Sequence, residues 1–224
     1  MSQGYFRFPA VQGNKVAFTS EDDLWEVPLA GGVARRLTSG LGTFSRPFYS
    51  PDGNWLAFSS AEEGHLEIFV MPSAGGEIKR LTYLGAQSIV VGWADNQTVL
   101  FASGAFEAQR MPTICRITLD GGLPESLNLG PAVNMALNDQ GEIVLERNSF
   151  RADPAHWKRY RGGTAGKLWY SSGIDQDFRP LLKLNGNLAR PMWIKDRIYF
   201  ICDHEGVGNI YSCLRTGEDL RRET

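Results

Sequence analysis

Apolar and polar residues alternate along this chain in short runs, broken by Gly, Pro, Asn and Asp, which is the pattern of strands and tight turns. The clearest run is Ser45-Arg46-Pro47-Phe48-Tyr49-Ser50-Pro51-Asp52-Gly53-Asn54-Trp55-Leu56-Ala57-Phe58-Ser59-Ser60. Its first strand enters Ser50-Pro51-Asp52-Gly53-Asn54, where proline presets φ for a turn and Asp-Gly supplies a positive-φ corner. A second strand, Trp55 to Phe58, follows at once. Leu66 to Met71, a Gly75-Gly76 turn and Glu77 to Thr82 complete the unit. Four short strands in about forty residues is the length of one propeller blade.

The unit recurs. Second strands read Val16-Ala17-Phe18, Leu56-Ala57-Phe58, Val99-Leu100-Phe101, Ile143-Val144-Leu145 and Ile198-Tyr199-Phe200, at intervals of 40, 43, 44 and 55 residues. Third strands follow at Leu24 to Val27, Ile68 to Val70, Ile114 to Ile117, Leu168 to Tyr170 and Ile210 to Ser212. Fourth strands are marked by Arg36-Leu37-Thr38, Arg80-Leu81-Thr82 and, in weaker form, Leu220 to Thr224. In the first repeat Tyr5-Phe6-Arg7-Phe8-Pro9 stands where the second has Ser45-Arg46-Pro47-Phe48. The repeats are placed at approximately 5–40, 44–84, 88–129, 132–185 and 188–224 of one all-β domain, 1–224. The predicted fold is a β-propeller of four-stranded blades, with five repeats present of an expected six. The chain stops on the last strand of its fifth repeat, so it reads as a fragment whose terminal blades each expose a face. No segment sustains helical periodicity.

Composition narrows the function. An apolar content of 42% supports a real core, and a net charge of −2 lacks the basic face of a nucleic-acid binder. No window approaches the roughly 20 apolar residues of a membrane span. Met1 to Arg7 carries no basic segment followed by an apolar run, so no export signal is read there. Cys115, Cys202 and Cys213 lie in predicted strands without metal-like spacing. An odd count of this kind fits reduced, buried thiols and a cytoplasmic location.

The chemically richest stretch is the insertion Arg147 to Lys167, which lengthens the last interval. Arg151, His156, Lys158, Arg159, Arg161 and Lys167 lie there among Trp157, Tyr160, Trp169 and three glycines. Such a cluster can hold a carboxylate, a phosphate or an acidic partner surface. It can equally lie over a neighbouring blade, with Arg and Trp filling the contact. These six residues are the candidate peptide or domain contact. Gly162 to Lys167 is not a phosphate loop, because Lys167 leads into the strand Leu168-Trp169-Tyr170 rather than a helix.

Other chemistry is sparse. His65, His156 and His204 are isolated, so no metal and no cofactor are expected. Gly-x-Ser-x-Gly does not occur, and Ser59-Ser60 and Ser171-Ser172 read as turn formers. Asp203-His204-Glu205-Gly206 reads as a hairpin turn rather than a catalytic dyad. No catalytic residue is named.

The Ser-Pro-Asp-Gly hairpin followed by Arg-Leu-Thr resembles the repeat of TolB-like propellers, which identifies a fold and not a function. Narrower motifs resemble the N-terminal six-bladed propeller of the tricorn protease family. They are Asp22-Asp23-Leu24-Trp25-Glu26, Gly76 to Tyr83, Leu127 to Ala132, His156 to Trp169, Arg197 to Phe200 and Gly208 to Ser212. The resemblance implies a cytosolic serine peptidase that trims oligopeptides, whose remaining domains carry the catalytic residues and whose chains form hexamers. The propeller would then be non-catalytic, gating passage to or from the active site and contributing to assembly. Its partners would be the other domains of the protease and peptides in transit, with no nucleic acid and no membrane. One departure stands out. Archaeal members place an Arg pair after the second repeat, whereas Tyr83-Leu84-Gly85-Ala86-Gln87-Ser88 contains no arginine. Two alternatives remain open: a free-standing TolB-like binding module, and the regulatory propeller of a prolyl-oligopeptidase-like enzyme.

Overall fold

A computed structural model describes residues 5–62, 64–108, 111–149 and 160–224. Its strands form five four-stranded antiparallel sheets, each a propeller blade built from consecutive strands. Blade 1 contains β1 (Arg7–Gln12), β2 (Lys15–Ser20), β3 (Asp23–Pro28) and β4 (Arg35–Arg36). Blade 2 contains β5 (Phe44–Tyr49), β6 (Trp55–Ser60), β7 (Glu67–Pro72) and β8 (Lys79–Arg80). Blade 3 contains β9 (Ser88–Trp93), β10 (Thr98–Ser103), β11 (Thr113–Thr118) and β12 (Glu125–Pro131). Blade 4 contains β13 (Asn134–Leu137), β14 (Ile143–Arg147), β15 (Lys167–Ser171) and β16 (Arg179–Pro180). Blade 5 contains β17 (Leu188–Ile194), β18 (Arg197–Cys202), β19 (Asn209–Leu214) and β20 (Arg221–Arg222). The all-β propeller class is as the repeats predict. The described residues supply five blades; a sixth, expected from the resemblance, is not among them. No helix long and apolar enough to cross a membrane occurs among the described residues.

The chain divides into two compact units, Met1–Arg110 with Cys115–Leu127 and Met111–Ile114 with Asn128–Thr224. In the first, Ala17, Leu24, Phe44, Leu56, Phe58 and Met71 pack blade 1 on blade 2. Ala57, Ile68, Val90, Trp93, Phe101 and Cys115 pack blade 2 on blade 3. In the second unit Val144, Leu168, Leu188, Ile198, Phe200 and Tyr211 pack blade 4 on blade 5. Alternate positions of one strand thus serve two different seams, as a period of two requires.

The hairpin at Ser50 forms as its residues demand. Gly53 takes φ +73° and Asp52 accepts hydrogen bonds from the Ser50 hydroxyl (2.6 Å) and the Asn54 main-chain N–H (3.1 Å). Those donors, the serine first, hold the Asp52 carboxyl below its usual range.

The first strands of three blades share a bulge that sequence register alone misplaces. In β1 the pairing jumps from Arg7↔Thr19 to Ala10↔Ala17, in β5 from Ser45↔Ser59 to Phe48↔Ala57, and in β17 from Ala189↔Ile201 to Met192↔Tyr199. The bulged pairs are Phe8-Pro9, Arg46-Pro47 and Arg190-Pro191, with φ of +53°, +53° and +52° at the residue before proline. Proline cannot donate to a ladder, so the bulge sits where that donor is missing. Phe8, rather than Arg7, therefore corresponds to Arg46.

Arg-Leu-Thr proves to be a closing device. Thr38 accepts the Leu24 N–H (2.9 Å) and donates to buried Asp23 (2.8 Å). Thr82 accepts the Ile68 N–H (2.9 Å) and donates to Glu67, which is only 1% exposed. Arg36 and Arg80 pair with the same two carboxylates. In blade 5 Thr224 accepts the Ile210 N–H (3.0 Å), and Arg222 pairs instead with Glu205 (2.9 Å).

Candidate functional site

The basic insertion leaves blade 4 at the end of β14 and returns at β15. At its start Arg147 donates to the Leu129 carbonyl (2.6 Å) and lies over the rings of Trp169 (5.4 Å) and Phe178 (5.0 Å). Burial lowers the affinity of its guanidinium for the proton. An arginine between two aromatic faces is a rigid root for whatever follows.

The returning arm is stitched to blade 5. Arg161 grips both carboxylate oxygens of Asp203 at 3.1 Å and donates to the Asp203 carbonyl at 3.0 Å. Asn187 donates to the Tyr160 carbonyl (3.1 Å) and accepts from the Gly166 N–H (3.2 Å). Lys167 donates to the carbonyls of Leu184 (3.2 Å) and Gly186 (3.1 Å). Gly166 passes so close that a Cβ there would lie 2.4 Å from the Leu188 carbonyl oxygen. Of the six candidate contact residues, Arg161 and Lys167 are thus engaged within the fold, where they hold the arm of the insertion. Arg151, His156, Lys158 and Arg159 lie outside the described residues.

On the same unit, the turns of blades 4 and 5 border a cleft of ≈ 710 Å³ lined by Asn138, Asp139, Glu142, Trp193, Lys195, Asp196 and Arg215. Glu142, one of the lining residues, accepts from the hydroxyl of Tyr170 (2.6 Å), the Asn138 amide (2.8 Å) and Arg215 (3.1 Å). Burial pushes the Glu142 carboxyl up, but those donors outweigh it and hold it below its usual range. Burial and the Glu142 carboxylate raise the Tyr170 phenol. Both groups therefore keep fixed protonation near neutrality and are unsuited to shuttling protons, while the Arg215 bond to Glu142 ties blade 5 to blade 4.

The acid–imidazole turn is dispersed into separate contacts. Asp203 takes Arg161 and the Asn187 N–H, Glu205 takes Tyr211 (2.8 Å) and Arg222, and His204 lies against the Tyr211 ring at 4.6 Å. All three cysteines are free and buried, and burial pushes Cys115 up to about 12 and Cys213 to about 11. Such thiols remain protonated and are poor nucleophiles. No group of His, Cys, Asp and Glu able to hold a metal occurs among the described residues. The Tyr83 to Ser88 loop serves Glu67: the Gly85 N–H donates to its carboxylate (2.8 Å) and Arg80 lies over the Tyr83 ring (4.3 Å).

The sequence marks neither Glu142 nor Tyr170 as a site residue, and it offers Asp203 only as part of a hairpin turn. Each is defined by a partner 28 to 73 positions away. No local spacing marks such pairs.

A family model described as the tricorn protease N-terminal beta propeller domain matches residues 3–224. Tricorn protease homolog 1 of Streptomyces coelicolor is 43% identical over 224 residues, covering 98% of this chain and 21% of that protein. The tricorn protease of Thermoplasma volcanium is 35% identical, covering 96% of this chain and 22% of that protein. A solved structure, the crystal structure of the tricorn protease, superposes with a TM-score of 0.87 at 31% identity over 99% of this chain and 22% of that one. The chain therefore spans about a fifth of the length of the curated relatives it matches.

Proposed function

Because the chain belongs to the tricorn protease N-terminal β-propeller family, we propose that it is the non-catalytic propeller of a tricorn-like serine peptidase acting on oligopeptides in the cytoplasm. The observation that carries this reading is the match across residues 3–224, on a chain whose five blades repeat one structural unit. The serine nucleophile and its base belong to the remaining domains of the same protein, with which the propeller assembles into a homo-oligomer. A sixth blade completes the ring. The propeller gates peptides moving to or from the active site.

In this reading the insertion is the contact element. Arg147, Arg161 and Lys167 fix its two ends, and Arg151, His156, Lys158 and Arg159 meet a peptide or another domain. Guanidinium and ammonium groups suit the C-terminal carboxylate of a peptide or an acidic domain surface.

The test uses the full-length protein with Arg151, Lys158 and Arg159 all changed to alanine. Hydrolysis of fluorogenic oligopeptides is expected to fall roughly tenfold in kcat/KM, equivalent to about 1.4 kcal/mol. A domain contact would instead shift the sedimentation profile. Full-length protein without peptidase activity, or a variant unchanged in both respects, would contradict the proposal.

A further inference from the structure

In blades 1, 2, 4 and 5 the fourth strand is two residues long, yet its cations divide their labour in a repeating way. The second residue of the pair, Arg36, Arg80 or Arg222, clamps a carboxylate of its own blade. The first reaches forward. Arg35 donates to the Ala74 carbonyl of blade 2 at 2.9 Å, Lys79 to the Leu119 carbonyl of blade 3 at 2.6 Å, and Arg179 to the Arg215 carbonyl of blade 5 at 2.9 Å. The acceptors lie at sequence separations of 39, 40 and 36, each in the turn between the third and fourth strands of the next blade. Blade 3 departs from the pattern: its fourth strand begins with Glu125, which takes Arg116 of its own sheet.

Register assigns the same forward position in blade 5. Glu26↔Arg35, Val70↔Lys79 and Tyr170↔Arg179 correspond to Ser212↔Arg221. Arg35 keeps Nη2 on Glu26 of its own blade while Nη1 makes the forward bond. Arg221 repeats the first half of this arrangement, with Nε and Nη2 on Asp219 at 3.1 and 2.6 Å. Its Nη1 makes no bond among the described residues, and its side chain is 59% exposed.

The sheet face on that side of blade 5 is also less covered than its counterparts. In blade 2 the forward seam buries Ala57, Ser59 and Ile68 completely, and the Val90 N–H of blade 3 donates to the Ser59 hydroxyl. The matching positions in blade 5 are Tyr199, Ile201 and Ile210, all only part-buried, and Met192, which matches Phe48, is 43% exposed. A cation placed to bond a carbonyl and an apolar face placed beside it together describe a blade seam.

We propose that Arg221 is a forward latch, whose Nη1 bonds a main-chain carbonyl in the third-to-fourth-strand turn of a further four-stranded blade of the same protein. That blade covers Met192, Tyr199, Ile201 and Ile210. The inference rests on the family reading for the presence of further chain. It adds which residue carries the seam, and what that residue binds.

Hydrogen exchange on the full-length protein tests it, comparing wild type with Arg221→Ala and, as an internal reference, Arg179→Ala. Arg179→Ala is expected to speed exchange at residues 213–218, where its acceptor turn lies, by roughly tenfold for a lost bond of about 1.4 kcal/mol. Arg221→Ala is expected to leave that segment unchanged and to speed exchange in one turn outside residues 1–224. Faster exchange confined to blade 5 around Asp219 would overturn the latch, as would faster exchange at residues 28–32 of blade 1 or a loss of contact between two copies of the protein. The readout does not depend on peptidase activity, so failure of the latch and failure of the proposed function are distinguishable.

Discussion

Thr38 donates its hydroxyl to the buried carboxylate of Asp23 at 2.8 Å, and the same oxygen accepts the Leu24 main-chain N–H at 2.9 Å. Thr82 and Glu67 repeat this in blade 2. One side chain thus closes the fourth strand on the third and satisfies a carboxylate that has left water. Thr82→Val keeps the shape, removes both bonds and strands the Ile68 donor. A loss of about 2–4 kcal/mol is expected, read as a lower urea midpoint, while Thr82→Ser is expected to retain most of the stability. Equal midpoints for valine and wild type would refute this role.

Gly166 and Gly163 offer a matched pair in the returning arm of the insertion. A Cβ at Gly166 would meet the Leu188 carbonyl oxygen at 2.4 Å, whereas nothing lies within 4 Å of one at Gly163. Gly166→Ala should therefore destabilise by about 1–3 kcal/mol through backbone displacement. Gly163→Ala should stay within about 0.5 kcal/mol of wild type. Thermal unfolding of the two variants side by side checks the contrast.

Arg161 and Asp203 are 42 positions apart and meet through both carboxylate oxygens, with side-chain exposures of 29% and 15%. A pair so far out of solvent, in which Nη1 meets the carboxylate and Nη2 the Asp203 carbonyl, is worth more than an open surface one. A double-mutant cycle with Arg161→Ala and Asp203→Ala is expected to give a coupling of about 1–2 kcal/mol. Cleavage by a protease at residues 160–167 should rise in both single variants. A coupling near zero would reduce the arm to an incidental contact.

Glu142 sets an acid limit on the seam between blades 4 and 5. Its carboxyl is held low in the folded state despite burial, so the stability it contributes is fully present above the unfolded carboxylate pKa. That contribution is lost as pH falls through the lower, folded value. The stability difference between wild type and Glu142→Gln is therefore expected to be largest at about pH 7 and to shrink towards about pH 3. A difference that is constant or grows on acidification would contradict the assignment.

Much of the fold was legible because its determinants are local. Asp52 and Gly53 make their turn through residues two positions away, and Asp95 and Asn138 cap the matching turns of blades 3 and 4 in the same way. The X-Pro bulges were legible in principle, since a proline inside a strand signals one, but the register of Phe8 with Arg46 required the ladder itself. Arg-Leu-Thr was legible as a marker and opaque as a mechanism, because Thr82 acts on Glu67 fifteen positions earlier. The forward latches were further out of reach, since Lys79 binds a main-chain carbonyl, which has no residue signature. In the basic insertion the residue types allowed either an anion contact or packing over a neighbouring blade. For Arg161 the anion proved to be Asp203 of the neighbouring blade.

Where catalysis resides is tested most directly by one labelling experiment. The full-length protein is treated with a fluorophosphonate probe that forms a covalent bond to activated serines, and the modified peptide is located by mass spectrometry. The expected result is loss of oligopeptide hydrolysis with the label on a serine outside residues 1–224. A label on a serine within residues 1–224, accompanied by the same loss of activity, would contradict the non-catalytic role.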